Sequence, residues 1–247
     1  MSERPTSLGP VKRVGHKGAD LVAPGNTLES FGAALEAGVD MIEFDVLRLR
    51  DRRLVLAHDY ADATKREPVA LEEGLDHFAG EAYARVELDV DLKLPGYERE
   101  VIEALRARGL AERALVSSTY LESLDRIGEL APGLRRGWSV PRARRDYTRS
   151  VFAPIAYAIL RVWRRRLPAR AADLLAEGRI NALMAHWLLV SPRLVEAVRG
   201  GGGELYVWTV DDARRIEQLS RLGVDGVITN DPRLFSAYPL MRQMAAE

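Results

Sequence analysis

The sequence predicts an α/β fold, a closed (β/α)8 TIM barrel. Eight short runs rich in β-branched residues alternate with longer segments of helical periodicity, a pattern typical of parallel strands joined by helices. No Ser/Gly/Pro-rich linker divides the 247 residues, so we expect a single barrel domain spanning 1–247. Polar side chains recur where the runs end, and barrel enzymes carry their active sites at that edge.

The elements follow one another in a regular order. The predicted strands are Val11–His16, Asp40–Leu49, Val86–Leu92, Ala114–Ser117, Leu134–Val140, Ile180–His186, Leu205–Val210 and Gly226–Thr229, with a short extra strand at Leu54–Ala57. The predicted helices are Thr27–Ala37, Leu71–Phe78, Glu98–Arg108, Leu121–Leu130, Pro192–Arg199, Asp212–Leu222 and Pro232–Tyr238, and an extended helical insertion covers 141–178. Eight strands, each with a helix behind it, favour a closed barrel over an open sheet.

Composition narrows the function. The formal net charge is zero, which argues against nucleic acid as a partner and leaves a small-molecule substrate as the expectation. The absence of cysteine excludes disulfides, thiolate metal sites and cysteine nucleophiles. No apolar stretch reaches the length of a signal peptide core or a membrane span, so we expect a cytoplasmic protein.

Two carboxylates alternate with apolar residues in the second predicted strand. Side chains alternate faces along a strand, so Glu43 and Asp45 share one face while Ile42, Phe44 and Val46 share the other. A solvated edge strand would also show this alternation, but the flanking apolar residues favour a buried one. Two inward carboxylates would repel each other in a poorly solvated site unless a cation lay between them.

The third predicted strand repeats the pattern with three acids, Glu87, Asp89 and Asp91, on the same face as Lys93. Asp91 lies nearest the strand end and is the best candidate for a third metal ligand, although the choice among the three acids stays open. Asp89 and Glu87 could instead support the site or form ion pairs lower in the barrel. Oxygen ligands in this number favour a divalent cation, Mg²⁺ or Ca²⁺, over zinc.

Two histidines stand at the ends of predicted strands: His16 is the last residue of the first, and His58 comes directly after the short extra strand. Imidazoles suit proton transfer near neutral pH, one accepting a proton from the nucleophile and the other protonating the departing alkoxide. We therefore predict that His16 and His58 form an acid/base pair. Of the other two, His77 is expected on a helix surface and His186 in the lining of a pocket.

The ordered set of these motifs resembles the glycerophosphodiester phosphodiesterase family. The matching segments are His16-Lys17-Gly18, Ala23–Phe31, Glu43-Phe44-Asp45-Val46, His58-Asp59, Asp91-Leu92-Lys93, Val207–Val210 and Gly223–Pro232. Each piece is weak alone, but together they cover nearly the whole chain in the same order and spacing.

The resemblance implies a (β/α)8 barrel that hydrolyses glycerophosphodiesters to an alcohol and glycerol 3-phosphate with a divalent cation. The resemblance also implies a role for each matching residue. Glu43, Asp45 and Asp91 would hold the metal, and His16 and His58 would exchange protons. Lys17 would bind phosphate, Lys93 would bind phosphate or a carboxylate that holds the metal, and Trp208 would line the glycerol side of the pocket.

The chain departs from the family pattern at four positions. Lys17 replaces an arginine, which keeps the charge but loses the planar fork that grips two phosphate oxygens. Gly25 replaces a glutamate, Asp91 stands for a glutamate one methylene longer, and Asn230 replaces a common aspartate. None of these changes removes the acid and histidine set, so we expect activity.

Within the insertion, an apolar run at 151–160 precedes Arg161 and the triplet Arg164-Arg165-Arg166. An apolar run beside a basic cluster can lie in a membrane interface, which would give peripheral membrane contact through 151–166. The alternative is a helix or lid that packs on the protein or on a second subunit, with its arginines in solvent.

Two rival functions remain open from the sequence. One is a lysophospholipase D-like barrel acting on lysophospholipids through similar motifs. The other is a catalytically silent barrel that serves as a binding protein, to which Lys17 and Gly25 give slight support. The sequence does not decide the native metal, the alcohol moiety or the oligomeric state.

Overall fold

Nine strands and seven α-helices make up the part of the chain that the structure describes. The structure is a computed structural model that describes residues 11–142 and 153–236. The strands are β1 (Lys12–Gly15), β2 (Met41–Arg48), β3 (Leu54–Leu56), β4 (Glu87–Leu92), β5 (Ala114–Ser118), β6 (Arg135–Val140), β7 (Ala182–His186), β8 (Glu204–Trp208) and β9 (Gly226–Thr229). The helices are α1 (Leu28–Glu36), α2 (Leu71–Phe78), α3 (Glu98–Ala107), α4 (Leu121–Leu130), α5 (Ala153–Ala176), α6 (Pro192–Gly200) and α7 (Ala213–Leu222).

Eight of the strands close into a parallel barrel. Each pairs with its neighbours in the order β1-β2-β4-β5-β6-β7-β8-β9, and β9 pairs back with β1. β3 is the exception, because it pairs antiparallel with the end of β2 and lies outside the ring. Helices follow the barrel strands on the outside, so the predicted (β/α)8 barrel is confirmed.

Two apolar layers hold the barrel together. The larger lies between the strands and the helices and includes Phe31, Phe44 and Phe78, whose rings contact one another. The smaller fills the barrel interior with Val14, Met41, Leu115, Ala182, Met184, Tyr206 and Ile228. Side chains alternate faces along each strand. The residue after one of these inner residues therefore points outward to the helices, and the next one points inward again, closer to the end of the barrel.

Both the strands and the helices lie within about two residues of their predicted positions, which is the usual accuracy of pattern-based boundaries. The final helix is a correction: the predicted Pro232–Tyr238 is a single 3-10 turn, Pro232–Phe235, within the part of the chain that is described, and Tyr238 lies outside it. Asp231 accepts a hydrogen bond from the backbone N–H of Arg233 and starts this turn.

The predicted insertion, 141–178, is largely the helix α5, and its residues 143–152 lie outside the described part of the chain. α5 is therefore the helix that connects β6 and β7. None of the helices described is both long enough and apolar enough to cross a membrane.

Candidate active site

Three carboxylates meet at the C-terminal end of the barrel. Glu43 and Asp45 lie on β2 and Asp91 on β4, and Asp45 pairs with Asp91 in the parallel register. One carboxylate oxygen from each residue lies within 4.8 Å of the others. Glu43 and Asp45 are buried, and the side chain of Asp91 is 13% exposed. The side-chain alternation that marked these residues in the sequence thus directs all three towards one point.

Lys93 supplies the positive charge nearest to this cluster. Its Nζ lies 2.5 Å from Asp45 Oδ1 and 2.6 Å from Asp91 Oδ2. Burial disfavours the ammonium, but the neighbouring carboxylates outweigh burial and hold the pKa of Lys93 well above its usual value. In this structure Lys93 therefore forms ion pairs with two carboxylates of the cluster. The resemblance implied contact either with phosphate or with such a carboxylate.

The two carboxylates of β2 respond to burial in opposite ways. Burial, followed by the charge of Asp45, raises the pKa of Glu43 well above its usual value. Burial also opposes ionisation of Asp45, but Lys93 and His58 overcome it and lower the pKa of Asp45 well below its usual value. Without a cation, Asp45 is thus the more acidic member of the pair and Glu43 the less acidic one.

Asn26 fixes the position of Asp45. Its side-chain amide donates to Asp45 Oδ2 over 2.9 Å, and its Oδ1 accepts the backbone N–H of Asp45 over 3.0 Å. Asn26 is 1% exposed and has a φ of +60°, a left-handed conformation that asparagine tolerates better than most residues. The next residue, Thr27, caps the N-terminus of α1, because its hydroxyl accepts a hydrogen bond from the backbone N–H of Ser30.

His58 lies over the same carboxylate. Its Nδ1 is 3.3 Å from Asp45 Oδ2, and because an ionised carboxylate only accepts, His58 donates through Nδ1. Its side chain is 53% exposed, and Nε2 makes no hydrogen bond to the described residues that would occupy it.

His16 is held from the opposite side by a chain of polar groups. Asn230 Nδ2 donates to Asp211 Oδ2 over 2.6 Å, which turns Asn230 Oδ1 towards His16 Nδ1 at 2.5 Å. Asn230 Oδ1 can only accept, so Nδ1 carries the proton and Nε2 keeps its lone pair. Nε2 lies 3.9 Å from Glu43 Oε2, so it points into the carboxylate cluster.

Burial, reinforced by the charge of Lys17, lowers the pKa of His16 to about 4. In the metal-free protein we expect the ring of His16 to titrate with a midpoint near 4 by NMR. Lys17→Gln should move that midpoint upward, because it removes a positive charge. A midpoint near the ordinary 6.5 would show that the ring is solvated rather than buried.

The low pKa of His16 makes the stability of the fold depend on pH. Because the pKa of His16 is lower in the folded protein than in the unfolded chain, the unfolded chain binds more protons between about pH 4 and 6.5. His16 therefore destabilises the fold as the pH drops through this window and costs nothing above it.

Lys17 and Asp20 form an ion pair beside the site. Lys17 Nζ lies 2.5 Å from Asp20 Oδ2, and the backbone N–H of Gly25 donates to Asp20 Oδ1 over 2.8 Å. A Cβ at Gly25 would lie 2.4 Å from Asp20 Oδ1, so any side chain there would displace the carboxylate. Lys17 and Gly25, two of the departures from the family pattern, therefore depend on each other through Asp20. Asp20 pairs with Lys17 and occupies the space that a glutamate at position 25 would need.

The backbone around Lys17 also depends on close approach. The N–H of Lys17 donates to Glu43 Oε2 over 2.8 Å, and Lys17 and Gly18 both have positive φ angles. A Cβ at Gly18 would lie 2.6 Å from the backbone of Ser30, which explains a glycine at this point.

Trp208 ends β8 on the same rim. Its Nε1 donates to the carbonyl of Met184 over 2.9 Å, and its ring meets His186 edge-on at 5.2 Å between centroids. The ring of Trp187, in the turn after β7, is covered by the guanidinium of Arg215 at 3.6 Å. Aromatic residues thus line the side of the rim that β7 and β8 supply.

The remaining acids and histidine of the sequence analysis lie elsewhere. Asp89 is buried lower in the barrel, accepts a hydrogen bond from Ser117 over 2.7 Å, and has a pKa raised to about 8 by burial. Glu87 pairs with Lys12 and Arg135 at the opposite end of the barrel. His77 bonds the hydroxyl of Tyr83 on the outside. Asp91 is the acid of β4 that joins Glu43 and Asp45.

A divalent cation fits the three carboxylates. All the donors are oxygens, which hard cations prefer, and Asp91 Oδ1 is buried without a hydrogen-bond partner among the described residues. A buried acceptor without a donor is costly, and a bound cation would satisfy it.

Three functional neighbours were missed by sequence reasoning: Asp20, Asp211 and the side-chain role of Asn26. In the sequence, Asn26 lies inside one of the matching segments and Asn230 is a departure from the family pattern, but neither side chain could be given a partner. Asp211 follows the Trp208-Thr209-Val210 segment, and its position after β8 is the one signal that could have singled it out.

A parallel barrel with carboxylates, two histidines and a lysine at the C-terminal ends of its strands is typical of a barrel enzyme. The glycerophosphoryl diester phosphodiesterase family model matches residues 16–70 and 82–234. A glycerophosphodiester phosphodiesterase of Caldanaerobacter subterraneus is 29% identical, over 89% of this chain and 93% of that protein.

Two solved structures show the same fold. One is a glycerophosphodiester phosphodiesterase from Parabacteroides distasonis, with a TM-score of 0.71 and 18% identity over 96% of this chain and 98% of that one. The other is an Oleispira antarctica phosphodiesterase in complex with the product sn-glycerol-3-phosphate, with a TM-score of 0.68 and 20% identity over 92% and 96%. The chain belongs to the glycerophosphoryl diester phosphodiesterase family, and it is a phosphoric diester hydrolase.

Proposed function

We propose that this enzyme hydrolyses glycerophosphodiesters to an alcohol and glycerol 3-phosphate with the help of a divalent cation, Mg²⁺ or Ca²⁺. The observation that carries the proposal is the triangle of Glu43, Asp45 and Asp91 between His16 and His58. Relatives named for this activity support it, as does the structural neighbour that holds sn-glycerol-3-phosphate.

Glu43, Asp45 and Asp91 would hold the cation, since they offer oxygen ligands within reach of one another. When bound, the cation supplies positive charge that stabilises the phosphate oxygens as negative charge develops on them. Lys93 neutralises Asp45 and Asp91 in the absence of phosphate and keeps their carboxylates in place.

His16 is the group that accepts a proton from the attacking oxygen. A base must be unprotonated, and His16 is neutral above about pH 4 with the lone pair of Nε2 facing the carboxylates. Asn230 keeps this tautomer because its Oδ1 accepts a hydrogen bond from Nδ1–H, and Asp211 orients Asn230 by accepting a hydrogen bond from its Nδ2. The attacking oxygen is either water or the neighbouring hydroxyl of the substrate, which would give a cyclic phosphate.

His58 is the group that protonates the departing alcohol. The hydrogen bond from Nδ1 to Asp45 orients its ring and leaves Nε2 available to the departing oxygen. Its side chain is half exposed, which leaves room for a leaving group of variable size. Lys17 adds positive charge at the mouth of the barrel, and Trp208 offers an apolar wall to the glycerol carbons.

The direct test is formation of glycerol 3-phosphate, followed with a coupled dehydrogenase. We expect turnover of glycerophosphocholine and glycerophosphoethanolamine that disappears with EDTA and returns with Mg²⁺ or Ca²⁺. The phosphodiester bis(p-nitrophenyl) phosphate, which has no glycerol, is the matched substrate control and should be a poor substrate. Turnover that survives complete chelation would contradict the role of the cation, and a product other than glycerol 3-phosphate would contradict the substrate class.

The acid, lysine and histidine set argues against a catalytically silent barrel. A cytoplasmic location stays a prediction from the sequence.

A further inference from the structure

α5 differs from the other helices in length. It has 24 residues, whereas the other six α-helices have 8 to 10. At 1.5 Å per residue α5 is about 36 Å long, more than twice the length of its neighbours. It follows β6, so it begins at the end of the barrel where the parallel strands finish, which is the end that carries the active site.

Residues 161–166 form a continuously exposed segment of α5. All six residues from Arg161 to Arg166 are exposed, whereas Leu167, Ala171, Leu174 and Leu175 are buried at helical spacing against the barrel. A helix that lies flat on a core buries a residue at every turn. The six consecutive exposed residues therefore belong to a part of α5 that leaves most of its side-chain surface in solvent, although Leu160 just before them packs on the core. Pro168, inside the helix, marks the boundary.

This exposed part combines apolar and basic side chains. Val162 is 50% exposed and Trp163 is 37% exposed. The ring of Trp163 lies 6.4 Å from that of Trp138 on β6, so it leans on the barrel with its remaining surface in solvent. The basic residues are Arg161, Arg164, Arg165 and Arg166, and the sequence contains no acidic residue between 153 and 172.

Other apolar side chains are exposed at the same end of the barrel. Leu21 and Val22, in the loop after β1, are 62% and 44% exposed, and Tyr60, in the loop after β3, is 46% exposed. Leu188, in the turn after β7, lines a cavity together with Leu160, Arg161 and Arg164 of α5. α5 is thus joined to the rim rather than separated from it.

We propose that residues 160–166 of α5 dock the enzyme on an anionic bilayer, with the mouth of the barrel turned towards the lipid. Arginines attract anionic headgroups, while tryptophan and aliphatic side chains enter the interfacial region. A second copy of the chain is a poorer occupant, because two such helices would bring their arginine clusters together. The segment lies on the membrane and does not cross it.

Vesicle flotation with EDTA-treated protein tests the docking without any catalytic turnover. We expect binding to phosphatidylcholine vesicles that contain phosphatidylglycerol, weak binding to phosphatidylcholine alone, and release of bound protein at high salt. Arg161→Ser/Arg164→Ser/Arg165→Ser should weaken partitioning about tenfold or more. Trp163→Ala should weaken binding at low salt and leave the salt dependence in place.

A matched control removes the same charge elsewhere. Arg99, Arg126 and Arg214 are exposed on α3, α4 and α7, and their triple change to Ser should leave vesicle binding unaltered. Equal loss in both triple variants would overturn the proposal, because it would show attraction to net charge alone. Wild-type protein that does not float with the anionic vesicles would also overturn it. So would a stable dimer in light scattering that the α5 triple variant no longer forms.

A consequence for the substrate rests on the proposed function: lysophospholipids held in a bilayer would reach the mouth of the docked enzyme directly. We expect the α5 triple variant to hydrolyse soluble glycerophosphocholine at the wild-type rate and vesicle-borne lysophospholipid about tenfold or more slowly. Failure of the soluble assay in the wild type would count against the proposed function, whereas equal rates of the variant and the wild type on vesicles would count against docking.

Discussion

Asp45→Asn is expected to lower kcat for glycerophosphocholine by about a thousandfold or more, the largest effect of any single change at this site. Asp45 contacts Asn26, His58 and Lys93 at once, and it is the more acidic member of the buried carboxylate pair. An amide of the same size carries no charge, so it would weaken cation binding and leave Lys93 with a single carboxylate partner. Steady-state kinetics and calorimetric titration with Mg²⁺ or Ca²⁺ measure the two effects separately.

Asp40→Asn is the matched control for this change. Asp40 precedes β2 and pairs with Arg13 at the other end of the strand, so its loss should leave turnover and cation affinity close to normal. Thermal unfolding of both variants shows whether a low rate reflects the site or the fold. Near-normal turnover of folded Asp45→Asn would contradict the assignment of the cation site.

The second large effect is expected at the histidines, and it separates their roles. Ala at His58 should lower kcat for glycerophosphocholine by about 10² to 10⁴-fold, because choline is a poor leaving group that needs a proton. The same variant should retain most of its rate on a p-nitrophenyl ester of glycerol 3-phosphate, whose leaving group departs without one. Ala at His16 should slow both substrates, since the attacking oxygen must lose its proton in either case.

The leaving-group comparison has a built-in control at His77. This histidine bonds Tyr83 on the outside of the barrel, and His77→Ala should hydrolyse both substrates at the wild-type rate. If His16→Ala is the variant rescued by the better leaving group, then the acid and the base are interchanged. Near-normal turnover in both His16→Ala and His58→Ala would exclude an acid/base role for either residue.

Much of the site could be predicted because the information is local. Alternation along β2 and β4 puts Glu43, Asp45 and Asp91 on inner faces whatever the neighbouring strands are. The apolar residues between them belong against the helices, and Phe44 indeed packs against Phe31 and Phe78. A period of two residues therefore predicted both the strand and the direction of its acids.

The last helix could not be predicted in the same way. The pattern from Pro232 onward is compatible with a helix, but Asp231 and Arg233 bond each other and begin a 3-10 turn. A single 3-10 turn and the first turn of an α-helix share the same starting residues, so the local pattern does not separate them.

The barrel, the strand faces and the residue types of the site could be predicted from the sequence, because these depend on periodicity and on the chemistry of neighbouring residues. The way His16 is held could not, since Asn230 lies 214 residues away and comes beside it when β9 pairs with β1. The same is true of Asp20, which fills the space over Gly25, and of the exposure of residues 161–166 on α5. Such features arise from closure of the ring, which joins distant segments that no local pattern connects.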